Sequence, residues 1–128
     1  MDYYSVGLIA SDDTLQKRGD LVKRVVDATM RGYAWAIQNP DAAADAYAKR
    51  FPESSRDLTL AQWKITMQHM LTERTQANGL GYMDRGKMEK TLNLIKKYQQ
   101  GKTEIVVDDV YSMNYLSKID APKIGASK

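Results

Sequence analysis

One strand-like segment constrains this chain more than any other feature. Residues 3–10, Tyr-Tyr-Ser-Val-Gly-Leu-Ile-Ala, are rich in aromatic and β-branched side chains and stop at Ser11-Asp12-Asp13. That is the composition of a short buried strand. A strand presents N–H and C=O groups along both edges, and burying them unpaired is costly. No second convincing strand follows in the sequence. The segment therefore needs either a second copy of the chain or a sheet encoded upstream, and the sequence reads as part of a domain.

The remaining chain is patterned for helices. Asp13-Thr14-Leu15-Gln16 offers an N-cap with Gln three residues on. From Asp20 to Gln38, Val22, Val26, Met30, Tyr33 and Ile37 recur at helical spacing, widened by Leu21, Val25, Ala28 and Trp35, which predicts a long helix with a broad buried face. Gly19 separates it from the turn before it. Pro40 disfavours helical geometry at Asn39, and Asn39 can cap a second helix, alanine-rich, over residues 40–50. Thr59-Leu60-Ala61-Gln62 matches a capping box, with Leu60, Trp63, Met67 and Leu71 along one face and Asn78-Gly79 as terminator. Asp84 can cap the next helix, with Met88, Leu92 and Ile95 inward and Gly101 at its end. Ile105-Val106-Val107 reads as a connector and Asp108 as the cap of a last short helix near residues 110–116. The reading is one body over residues 1–120 and a flexible tail over 121–128, where small and charged residues predominate.

Composition narrows the chemistry. The apolar residues fall in short groups, and no run approaches the roughly 18–20 needed to span a membrane. The net charge is +3, but both signs alternate, as in Lys17-Arg18-Gly19-Asp20, so no basic stripe marks a nucleic-acid partner. There is no cysteine, which removes disulfides, thiolate nucleophiles and thiolate metal sites. The single histidine, His69, has only Glu73 within helical reach and reads as a surface residue, not a metal ligand. Asp108 and Asp109 are adjacent and point apart on a helix, so they read as capping residues. Gly79-Leu80-Gly81 is too short to cradle a phosphate. Tyr33, Trp35, Tyr47 and Trp63 lie at helical spacings suited to core packing. No catalytic residue, metal site or cofactor is expected, and an enzyme is disfavoured.

The order of these pieces resembles the last third of the periplasmic solute-binding proteins of ABC importers for thiamine-precursor pyrimidines, riboflavin, alkanesulfonates and taurine. The likeness rests on Tyr4-Ser5-Val6-Gly7-Leu8-Ile9-Ala10-Ser11-Asp12, on Asp20 to Ala28 running on to Gly32-Tyr33-Ala34-Trp35-Ala36, and on Asn39-Pro40-Asp41-Ala42-Ala43. Gly81-Tyr82-Met83-Asp84 and Val107-Asp108-Asp109-Val110-Tyr111 complete it, to about Leu116. The resemblance implies an α/β fold, mostly helical in this chain alone. The chain would form part of one lobe of a two-lobed (type II) periplasmic binding protein, with one N-terminal strand. It implies a small-molecule ligand between the lobes in the complete protein, a membrane permease as partner, and a periplasmic or membrane-associated extracytoplasmic location. Most of the site is expected upstream; within this chain Tyr3 and Tyr4, at the mouth of the strand, are the candidate ligand-binding residues. Met1-Asp2-Tyr3-Tyr4 lacks the basic segment and apolar core of a signal peptide, consistent with the expectation of a fragment. The alternative is a stand-alone helical interaction module derived from such a receptor, acting as a homodimer through the N-terminal strand.

Overall fold

The computed structural model describes Tyr4, residues 6–98 and residues 104–123, and these are mostly helical. The six helices are α1 (Asp12–Gln38), α2 (Pro40–Arg50), α3 (Arg56–Met70), α4 (Glu73–Asn78), α5 (Arg85–Tyr98) and α6 (Val107–Val110). They fall into two compact units. One gathers the described residues up to Val26 with Tyr82–Leu116, the other Asp27–Gly81 with the residues from Ser117 onward.

The expected strand is the first correction. Tyr3 and Ser5 lie outside the described residues, and among those described no strand is present. Val6, Leu8 and Ile9 are 81, 56 and 97% exposed. The physical reason is the one the sequence raised: a strand is stabilised by its neighbours, and the described residues supply no sheet edge to pair with.

Local signals place most helix ends, with substitutions among the caps. Ser11, not Asp13, starts α1: its hydroxyl accepts from Thr14 N–H at 3.3 Å and its carbonyl from Leu15 N–H at 2.9 Å. Asp12 and Asp13 occupy the first turn, where negative charge suits the helix dipole. The separation expected at Gly19 falls one residue earlier, at Arg18, whose non-helical backbone (φ −138°, ψ 34°) divides α1 into two helical stretches. Pro40 opens α2 as expected, but the Asn39 side chain turns back to donate to the Trp35 carbonyl at 2.9 Å and makes no cap. Helix α3 begins ahead of Thr59 because Ser55 accepts from Leu58 N–H at 3.3 Å; the Thr59 hydroxyl donates to the Ser55 carbonyl instead. Thr72 and Thr75 then cap α4 reciprocally, through Thr72 N–H at 2.9 Å and Thr75 N–H at 3.3 Å.

Asp84 caps α5 as expected, accepting from Lys87 N–H at 2.9 Å. Gly101, the expected end of that helix, lies outside the described residues. The last helix begins at Val107, inside the segment read as a connector, and Asp109 rather than Asp108 serves its start by accepting from Val106 N–H at 3.1 Å.

In the second unit α2 packs against α3. Residues 117–122 form a strap tied at three points. Ser117 donates through N–H and hydroxyl to Asp27 at 3.1 and 2.9 Å, Ile119 accepts from Leu80 N–H at 2.8 Å, and Pro122 accepts from Gln76 at 2.8 Å. Residues 124–128 of the expected tail lie outside the described residues. Among the described residues the buried apolar side chains are Ala44, Leu80 and Val107.

Candidate functional site

Tyr4 belongs to the first unit, where the start of α5 gathers aromatic and charged groups. Its hydroxyl accepts from Asp84 N–H at 2.7 Å, and the Lys87 ammonium sits 4.4 Å from its ring centroid. The Tyr111 hydroxyl donates to the Met83 carbonyl at 2.5 Å. Burial pushes the Tyr111 phenol above its usual range, reinforced by the acidic neighbours Tyr82, Tyr4 and Asp84. Arg85 holds Asp108 in a two-pronged pair, with one bond at 2.8 Å, and reaches Glu89 at 3.1 Å. The Arg85 hydrogen bond keeps the Asp108 carboxyl below the ordinary carboxylate range. Asp108 thus tethers the segment bearing α6 to α5, a role its sequence neighbourhood did not announce. Tyr3 lies outside the described residues, so the two candidate residues are not seen together.

A second constellation lies wholly in the other unit. The C-terminal half of α1, α2, the loop at 53–55 and α3 enclose an open cavity of about 700 Å³. Small side chains, Gly32, Ala36, Ala43 and Ala44, line it from α1 and α2 and leave room between the helices. Tyr33 and Trp63, both lining it, stack on each other with ring centroids 6.0 Å apart and planes inclined by 18°. The indole N–H is tied to the Ala36 carbonyl at 2.9 Å, which sets the ring's orientation. Tyr47, 46% exposed, lines the cavity from α2 and packs on Phe51 at 4.8 Å.

The α2–α3 junction is stapled by Arg56. Its guanidinium donates to Asp45 at 2.8 Å and Asp41 at 3.0 Å, with Asp57 at 3.5 Å. Those hydrogen bonds, Asp45 first and Asp41 second, raise the Arg56 pKa still further above its usual value. Three carboxylates around one cation leave this junction acidic. Glu53, the charged residue among those lining the cavity, makes no ion pair among the described residues.

Core packing accounts for only part of the aromatic set. Tyr33 and Trp63 are half-buried, whereas Trp35 is 50% exposed and lies outside the cavity lining. Glu53 was missed by sequence reasoning because a lone carboxylate after Phe51-Pro52 looks like any loop residue. His69 is exposed on α3, as read. Among the described residues no three His, Asp or Glu side chains are placed to hold a metal, and no helix is long and apolar enough to cross a membrane.

Comparison with known proteins points to one class, the solute-binding proteins. The family described as NMT1/THI5 like matches residues 1–43, which take in the N-terminal arm, α1 and the start of α2. The formylaminopyrimidine-binding protein of Halalkalibacterium halodurans is 20% identical over 112 residues, 87% of this chain and 34% of that protein. The chain therefore spans about a third of the length of the curated relative it matches. These two matches show the resemblance to solute-binding proteins of the thiamine-precursor type that the sequence carried.

Proposed function

We propose that this chain is a lobe-forming part of the solute-binding component of an ABC importer, a receptor and not an enzyme. The single observation that carries the reading is the match to a formylaminopyrimidine-binding protein along 87% of the chain. In the complete protein the solute is a thiamine-precursor pyrimidine, a flavin or a sulfonate, held between two lobes, and the receptor delivers it to a membrane permease from the extracytoplasmic side. Residues 1–120 form one partial lobe. The N-terminal arm supplies a strand once a sheet edge is present, and Tyr3 and Tyr4 face the ligand from its mouth.

Antibodies raised against this chain, used on fractionated source cells, test the proposal. The protein is expected in the extracytoplasmic fraction, to co-purify with a permease, and to release one small solute on denaturation. Recovery from the cytosol with neither permease nor solute would overturn it.

A second reading is supported by the exposed arm. Val6, Leu8 and Ile9 are exposed apolar side chains of strand composition, and a strand formed there would template pairing with another chain. On this reading the chain works as a homodimerising interaction module.

A further inference from the structure

We propose that the cavity between α1, α2 and α3 is a binding site for a small organic cation carrying an apolar body. The faces of Tyr33, Tyr47 and Trp63 hold the body and the Glu53 carboxylate meets the charge. The site lies within one unit of this chain and does not rest on the function proposed above.

The size suits a ligand of this kind. A cavity of about 700 Å³ falls in the range of roughly 300–1,000 Å³ over which small-molecule pockets occur. The choice of a cation follows from which polar groups are already engaged. The Trp63 N–H donates to the Ala36 carbonyl at 2.9 Å, the Thr59 hydroxyl to the Ser55 carbonyl at 2.9 Å, and the Thr66 hydroxyl to the Gln62 carbonyl at 2.9 Å. These three donors are thus engaged within the chain, and no Lys, Arg or His lines the cavity to neutralise a sulfonate or carboxylate. An anion would have to shed water with little to replace it, which is unfavourable.

A cation meets the opposite environment. Aromatic faces carry the negative lobe of the ring quadrupole and attract alkylammonium groups, more strongly where water is excluded. The Tyr33–Trp63 stack and Tyr47 supply three rings from three helices. Glu53 adds a full negative charge that no described side chain neutralises. The acidic Asp41, Asp45 and Asp57 around Arg56 bias the neighbouring surface in the same direction. Lys49 and Arg50, in the last turn of α2, are not among the lining residues.

Calorimetric titration of the full chain with benzyltrimethylammonium and with benzenesulfonate tests the site. Saturable one-to-one binding of the cation and none of the sulfonate is expected. Trp35→Phe leaves Trp63 as the sole tryptophan, because the chain has two, and its fluorescence should respond to the cation alone. Glu53 and Tyr47 are exposed, so Glu53→Gln and Tyr47→Leu should fold. The first should weaken binding about threefold, as a solvent-exposed charge contact does. Loss of the exposed Tyr47 ring should weaken it about two- to fivefold. Equal binding of the sulfonate, absence of saturable cation binding, or unchanged affinity in both variants would each overturn the proposal.

Discussion

Replacing Gly79 by alanine tests the packing of the second unit. Gly79 has φ 99° and ψ 166°, a backbone region essentially reserved for glycine, where another residue costs about 1–3 kcal/mol. A Cβ there would lie 2.9 Å from the Ile119 carbonyl oxygen and 3.3 Å from its nitrogen. Both are backbone atoms, so the 117–122 strap must move. That movement stretches the 2.8 Å bond from Leu80 N–H to the Ile119 carbonyl, worth about 1 kcal/mol net. Alanine also stiffens the unfolded chain, which returns about 0.4–1 kcal/mol. The expected loss is therefore about 1–3.5 kcal/mol. Gly32→Ala is the control of opposite sign: its Cβ meets nothing within 4 Å, and a helix interior gains about 1 kcal/mol from the change. Urea unfolding followed by far-UV circular dichroism measures both, and amide exchange at Leu80 should speed up in Gly79→Ala alone. If both variants unfold at the same urea concentration, the account of the strap is wrong.

Leu80→Ala should cost about 2–4 kcal/mol, because Leu80 is 1% exposed and truncation leaves a cavity. Leu94→Ala, at a site 45% exposed, should cost far less, and equal losses in urea melts would contradict the burial described. The Asp108 carboxyl is depressed by Arg85, so its contribution to stability is complete above the ordinary carboxylate range. It disappears as pH falls through the lowered value. Asp108→Asn should thus flatten the acid limb of a stability–pH profile, and a profile parallel to that of the unmodified chain would count against the pair. If the exposed arm pairs between copies, sedimentation should show concentration-dependent dimers that Val6→Pro abolishes by removing an N–H donor. A monomer at every concentration would remove the dimer reading.

What the sequence determined by itself is what acts within a turn or two of the chain. Val22, Val26, Met30, Tyr33 and Ile37 do form the covered stripe of α1, and all are at least half-buried. Pro40–Arg50 has the expected bounds, and Asp84 caps α5. Where caps were exchanged, as Ser55 for Thr59 or Asp109 for Asp108, several short polar side chains competed within a few residues, and small geometric differences chose among them.

Tertiary structure decided everything that depends on a distant partner. Val25, Ala28 and Trp35 continue the helical pattern yet are exposed, because periodicity says which face a residue is on and not how far a neighbour extends over it. Gly79 was legible as a terminator, but its need to lack a Cβ comes from Ile119, forty residues on. Glu53 gained a candidate role only when α1, α2 and α3 brought three rings to line the same cavity. Residues 4 and 6–10 have strand composition and no strand, since β propensity expresses packing against neighbours rather than a preference of the isolated backbone. Helical hydrogen bonds close within four residues and travel with the sequence, whereas a sheet edge or a cavity wall has to be supplied from elsewhere in the chain or by another one.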